Sequence, residues 1–395
     1  MRKLVSSSAD KLRPSGIRRY FDIAATMDDV VTLGIGEPNF VTPEHITESA
    51  LGSLRAGRTG YTANSGEYAL REAISDYVGR LYGVEYDPHS QVLVTIGVSE
   101  ALFLAMKAVL DPGDEVLVIE PCFVANSAAV EMAGGVAVMV PTYVENEFQV
   151  TAYDLETRIT PRTKAILMSY PSNPTGAVLH PEYMRQVAHI AEKYDLVVIS
   201  DEIYERLVYG VEHTNFASLP HMAERTILLS GLSKSFAMTG WRIGYALAPE
   251  PILSAMKKFH QYLIMSAPTM GQFAAIEALN NGEEDVAHMR HAYDKRRRLI
   301  VDGFNSLGMT CFEPRGAFYA FPSIAHTGMD DVTFCDLLLE EEHCAVIPGS
   351  AFGDSGRGFI RASYASDEAN IEKALSRMAR FLQRHGIRQT TLAHA

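Results

Sequence analysis

Residues 230–244 read SGLSKSFAMTGWRIG, and the interpretation of the chain turns on them. They lie between two apolar runs, Thr226-Ile-Leu-Leu229 and Tyr245-Ala-Leu-Ala248, each with the composition of a buried strand. Lys234 sits among small and hydroxylated residues just past the first run, and Arg242 stands just before the second. A lysine at the end of a buried strand loses part of its hydration, which lowers its pKa and makes the amine a nucleophile toward carbonyls. A guanidinium nearby can hold phosphate in a planar fork. Taken alone, such a Lys/Arg pair is usually solvated surface. A carbonyl cofactor carrying a phosphate becomes the better reading only if other strand ends supply its remaining contacts.

Upstream, short apolar runs alternate with amphipathic segments. Residues 92–96, 116–119, 136–140, 165–168 and 196–199 read as strands, and 100–110, 126–133, 154–159 and 181–194 as helices, with Ser99 as a helix cap. The alternation predicts an α/β fold with a mostly parallel sheet flanked by helices, its strands buried on both faces. Beyond Pro249 the pattern changes to long helices (252–265, 272–279, 286–306) and short strands around Cys311 and at 318–321, 345–347 and 359–362, with a last helix at 368–385. That is a smaller α+β domain. The predicted division is a large domain over 45–283 and a small one over 284–395, with residues 1–44 belonging to the small one. Residues 30–39 run from a short strand into a Gly/Pro turn at Gly36, and 55–67 form a glycine-rich loop carrying Tyr61.

In parallel sheets, ligands bind outside the carboxyl ends of the strands. The residues just past each predicted strand form a chemically coherent set. Gly97-Val98-Ser99 opens a helix whose free N–H groups and dipole suit an anion. Phe123 offers a flat face for an aromatic ring. Asn173 stands in a proline-bracketed turn, then come Asp201 and Tyr204, then Lys234 and Arg242. Singly, each has a plain structural reading: Ser99 caps a helix, Phe123 is core, Asp201-Glu202 is a solvated strand end. Together they describe one site.

Composition bounds the alternatives. The 395 residues carry a formal charge of −13, so nucleic-acid binding would need a local basic patch. The densest basic run, Lys295-Arg-Arg-Arg298, reads as a solvated helix face. Four cysteines without CxxC or zinc-finger spacing fit a reducing compartment. With no apolar leader and no membrane-length run, a cytoplasmic protein without membrane contact is expected.

The motifs Gly34-Ile-Gly-Glu-Pro-Asn-Phe40, Tyr61, Tyr170-Pro-Ser-Asn-Pro-Thr-Gly176, Ser200-Asp-Glu-Ile-Tyr204, residues 230–244, Gly316-Ala-Phe-Tyr319 and Phe359-Ile-Arg-Ala-Ser-Tyr364 occur in that order. Over essentially its whole length the chain resembles the class I pyridoxal-phosphate aminotransferases of fold type I. The resemblance implies that Lys234 forms the internal Schiff base and later shuttles a proton. It implies that Asp201 pairs with the pyridine nitrogen, that Tyr204 and Asn173 bond the phenolic oxygen, and that Phe123 stacks on the ring. Arg242, with Val98, Ser99 and a hydroxyl from Ser233 or Ser230, would hold the phosphate. Some relatives carry a hydroxyl residue where this chain has Gly231. Tyr61 would reach the phosphate of the other subunit in a homodimer with shared active sites. Arg361 would take the substrate α-carboxylate, with Asn173 and the Gly36 N–H nearby. No metal is implied.

The implied activity is ping-pong transfer of an amino group from an L-amino acid to a 2-oxo acid such as 2-oxoglutarate. Residues 16–23 and 259–269 would line the substrate pocket. No second arginine for a distal carboxylate is identifiable by motif, which points to an aromatic or broad specificity over a strict aspartate one. Alternatives on the same fold are a C–S β-lyase and an N-acetyl-diaminopimelate aminotransferase. A pyridoxal-phosphate-sensing regulatory module would need a helix-turn-helix, for which the residues before Gly34 leave no room. A nicotinamide dehydrogenase would need a GxGxxG after a strand, and none is present.

Overall fold

The structure, a computed structural model, describes residues 4–6, 9–10, 12 and 14–387. In chain order its main elements are α1 (Gly16–Ala24), β1 (Val31–Thr32), α2 (Glu44–Arg55), α3 (Tyr68–Tyr82), β2 (Val92–Thr95), α4 (Gly97–Val109), β3 (Glu115–Glu120), α5 (Ala125–Ala133), β4 (Val136–Pro141), α6 (Ala152–Glu156), β5 (Thr163–Ser169), α7 (Pro181–Lys193), β6 (Val197–Asp201), β7 (Thr226–Gly231) and β8 (Gly244–Leu247). Next come α8 (Glu250–Leu263), α9 (Thr269–Asn281), α10 (Glu283–Ser306), β9 (Tyr319–Ala320), α11 (Asp331–Glu342), β10 (Cys344–Ala345), β11 (Ile347–Pro348), β12 (Ile360–Ser363) and α12 (Glu368–Arg384).

The main sheet has seven strands in the order β2-β8-β7-β6-β5-β3-β4. The five from β7 to β4 run parallel, and every residue of β3 and β7 is buried, as their unbroken apolar runs require. β8 is antiparallel to both β7 and β2. Residues 232–243 contain no helix to carry the chain across the sheet face, so it turns straight back. That turn holds Lys234 and Arg242 against the sheet's carboxyl edge.

Three chain segments meet there without side chains between them. Gly231 pairs with Gly244, and Gly244 pairs with Thr95 on the other side. A Cβ at Gly231 would lie 2.9 Å from both Gly244 Cα and Ile243 O, and one at Gly244 would lie 2.6 Å from the Gly97 carbonyl carbon. The hydroxyl residue that the resemblance places at position 231 in some relatives has no space here.

β11, β12 and β9 form a separate antiparallel sheet, and β1 pairs in parallel with β10, tying residues 31–32 to the C-terminal third of the chain. One continuous apolar core runs from beneath β5 and β6 through Phe318, Tyr319 and Phe321 to α11 and α12.

Four local expectations are corrected. Ser99 is not a cap: α4 begins at Gly97, its N-cap is Ile96, and Ser99 lies inside the first turn. The predicted helix at 154–159 is instead a five-residue helix at 152–156, started by a Thr151/Asp154 capping box. Around Cys311 there is only an isolated bridge to Pro322. The run 295–298 is not a solvated face throughout, because Arg296 and Arg297 are buried. Arg297 is paired with Asp294 and Glu313, and the Arg296 guanidinium lies over the Phe40 ring and donates to Asn39 Oδ1. Alternating charge along a helix reads as surface, yet a guanidinium is buried readily once its donors are matched.

Gly231→Ser is expected to destabilise the fold by about 1–3 kcal/mol through overpacking. The urea unfolding midpoint should fall with an unchanged m-value.

Candidate active site

At the carboxyl ends of β3, β5, β6 and β7 lies a cavity of about 300 Å³. It brings together Gly36, Val98, Ser99, Phe123, Asn173, Asp201, Tyr204, Ser233, Lys234, Arg242 and Arg361. Tyr61 is not among its lining residues, and its side chain is 82% exposed on the surface. A more open depression of about 730 Å³ around Tyr209, Glu212, Arg290 and His291 contains none of these residues.

Lys234 Nζ donates to Gly36 O at 2.7 Å and lies 5.9 Å from the Tyr204 ring and 5.7 Å from the Phe318 ring. Burial brings its pKa down to about 8; Glu37 opposes the shift and the nearby charges of Arg361 and Arg242 add to it. Asp201, the last residue of β6, shifts the other way. Burial raises its pKa to about 6, although its oxygens accept from Ile203 N at 3.2 Å and Ser169 Oγ at 3.4 Å. Asn126 Nδ2 in turn donates to Ser169 Oγ at 3.3 Å, orienting that hydroxyl. An amine held near neutrality and a carboxyl held back from ionising share one cavity.

The neighbouring Glu202 is fully engaged rather than solvated. Its carboxylate accepts from Ser200 Oγ at 2.8 Å, Asn215 Nδ2 at 3.0 Å, Phe216 N at 3.0 Å and His213 Nε2 at 2.6 Å, which fixes the end of β6 beneath the site.

Arg361, on β12, is 2% exposed. Its Nη1 donates to Asn173 Oδ1 at 2.9 Å and its Nη2 to Gly34 O at 2.6 Å, while the guanidinium lies over the rings of Tyr319 and Phe352, 4.5 and 4.8 Å from their centres. Its Nε is buried with no partner among the described residues. Tyr319 also shares a 2.8 Å hydroxyl–hydroxyl bond with Tyr204, and a Cβ at Gly36 would collide with its Oη.

The β7–β8 turn supplies the other guanidinium. Arg242 Nη1 donates to Thr239 O at 3.0 Å, and its guanidinium packs where a Cβ on Gly97 would stand; Gly97 has φ +68°. The first-turn N–H groups of Val98 and Ser99 thus lie beside a fixed cation. Ser233 lines the cavity, whereas Ser230 is buried and directs its hydroxyl to Glu202 O at 3.5 Å. The turn is anchored at Thr42, whose Oγ1 donates to Ala237 O at 2.7 Å and accepts from Trp241 Nε1 at 2.9 Å.

Of the two segments expected at the substrate side, α1 contributes Ile17 and Phe21 to the cavity wall. Residues 259–269 contribute none in this chain. They lie against the loop before α3, where Asn64 Nδ2 donates to Met265 O and Thr269 Oγ1 to Gly60 O. Tyr319, Ser169, Asn126 and Thr239 are participants that strand-end reasoning missed. Tyr319 closes the Gly316-Ala-Phe-Tyr319 motif, and its position three residues past Gly316 was the available signal.

A family model of the class I and II aminotransferases matches residues 28–378. The Bacillus subtilis protein YugH is 49% identical over 384 residues, spanning 97% of this chain and 100% of that one. An aspartate aminotransferase of Pyrococcus abyssi is 44% identical over 382 residues, 96% of this chain and 98% of that one. The crystal structure of an aromatic aminotransferase from Pyrococcus horikoshii matches with a TM-score of 0.90 at 41% identity, covering 94% of this chain and 100% of that one. Sequence and fold agree over nearly the full length, and the chain belongs to the class I and II aminotransferases.

Proposed function

We propose that this aminotransferase uses pyridoxal 5'-phosphate to move the amino group of an L-amino acid to a 2-oxo acid such as 2-oxoglutarate, in two ping-pong half-reactions. The observation that carries the reading is one cavity holding a lysine of lowered pKa, a carboxyl of raised pKa and two guanidiniums. The donor set fits the cofactor. Lys234 is the amine for its carbonyl, and Asp201 is the acid for its ring nitrogen. Phe123 is the stacking face, and Arg242, Ser233 and the first turn of α4 are the phosphate receptor.

When bound, pyridoxal phosphate supplies an electrophilic carbonyl carbon and an electron-accepting ring. The chain's own residues do the rest. Arg361 binds the α-carboxylate as a bidentate pair, its unpartnered Nε marking unused donor capacity. Lys234 Nζ, neutral above about pH 8, takes the proton from the substrate α-carbon as general base. Asp201, drawn to its ionised form by a protonated ring nitrogen, holds that proton in place. Tyr204 and Asn173 donate to the phenolic oxygen.

The apolar lining of the cavity includes Ile17 and Phe21 on α1 and Leu102 on α4, and the only arginines among its described lining residues are Arg242 and Arg361. This supports an aromatic or broad amino-donor range. Exposed Tyr61, Tyr262, Leu263 and Met265 lie on two bonded segments and support a homodimer whose second copy covers them. In that dimer Tyr61 of the partner subunit reaches the phosphate.

Lys234→Ala should remove the visible absorbance of the bound cofactor and cut turnover by about 10³-fold or more; transamination near the wild-type rate would refute the assignment. Arg361→Leu should raise KM for both amino and oxo acids by about 10²-fold while the absorbance persists, from loss of charge-assisted bonds of about 1.5–3 kcal/mol. The rate at which the cofactor-free protein takes up pyridoxal phosphate covalently should climb with pH as Lys234 loses its proton, then level off above about 8. A rise continuing toward 10.5, the ordinary lysine value, would show that burial does not set the amine.

A further inference from the structure

The first turn of α4 is held by two side chains outside the cavity lining. Ile96, its N-cap, gives no side-chain cap. Glu100 reaches back instead, and its Oε2 accepts from Ile96 N–H at 2.6 Å. Its other oxygen, Oε1, accepts from His260 Nδ1–H at 2.7 Å. The His260 side chain, on α8, is 0% exposed, and its Nε2 is buried with no partner among the described residues. A buried imidazole that leaves one nitrogen unsatisfied is a poor device for stability. The polar contact it does make is to the carboxylate at the start of α4.

The need for that contact lies in what a free carboxylate would do. An acidic residue in a first turn is attracted to the open N–H groups of that turn and to the positive end of the helix. Here those N–H groups belong to Val98 and Ser99, beside the Arg242 guanidinium. Drawn to Ile96 on one oxygen and to His260 on the other, Glu100 is kept from competing for them. The same two bonds fix the pitch of the turn against α8.

We propose that Glu100 and His260 are a positioning pair that holds the first turn of α4 open and in register to receive the phosphate group of the cofactor. The inference rests on the function proposed above. It predicts an effect specific to the phosphate, because the pair does not line the site of carbonyl chemistry.

The test compares affinities of the full chain, freed of cofactor, for pyridoxal phosphate and for pyridoxal, which lacks the phosphate, by absorbance titration. Glu100→Ala should weaken pyridoxal phosphate about tenfold or more and leave pyridoxal within about twofold. Glu100→Gln can keep both contacts, its amide oxygen accepting from Ile96 N–H and its NH₂ meeting His260 Nδ1, and should stay within about twofold of wild type for both. If Glu100→Ala does not fold, His260→Ala, which frees one oxygen only, should show the same selective loss on a smaller scale. Equal weakening of both ligands, or an unchanged ratio between them, overturns the proposal. A wild-type chain that does not prefer pyridoxal phosphate to pyridoxal overturns the underlying reading of the site, and the inference falls with it.

Discussion

The interaction on which this structure depends is the burial of positive charge in one cavity. Lys234, Arg242 and Arg361 share it with one carboxyl, Asp201, that burial itself keeps from ionising freely. Burial disfavours each of these charges, and the group able to respond by losing its proton is the lysine, with the nearby charges of Arg361 and Arg242 adding to the shift and Glu37 opposing it. Arginine cannot do so, so the amine brought down to about 8 is Lys234 and the two fixed cations are guanidiniums. The surplus also determines what can enter. Under the proposed function, phosphate and carboxylate would each cancel a charge that the fold has already desolvated.

Such a site must be rigid where the charges sit, and the sequence uses glycine to make it so. Gly97, Gly231 and Gly244 let α4, β7 and β8 approach until backbone meets backbone. Arg361 instead comes from the other sheet and bridges to it through Asn173 at the end of β5 and Gly34 ahead of α2. Tyr319 and Tyr204 make a second bridge between the same two parts. The Arg361 guanidinium is therefore clamped from two sides by elements that do not share a hydrogen-bonded ladder.

Much of this was legible in the primary structure, for a simple reason. Parallel strands buried on both faces must be continuous apolar runs, and the residue that ends each run must stand at the carboxyl edge of the sheet. Asp201, Asn173 and Lys234 were therefore locatable from the runs before them. Contacts from the far side of the molecule were not. Tyr319 lies on a two-residue strand, and Asn126 lies in the first turn of a helix, so neither carries a periodic signal. Burial of Arg296 and Arg297 was hidden as well, since their partners Asn39 and Glu313 lie 257 and 16 residues away in sequence. The antiparallel course of β8 depends on what residues 232–243 fail to form, which an apolar run cannot report.

Trp241 is the one tryptophan of the chain, and its indole N–H is bonded to Thr42 in the turn that presents Arg242. The molecule thus carries a single indole fluorophore one residue from a fixed cation of its cavity. Under the proposed function, its emission should respond without any label when an anion seats against Arg242.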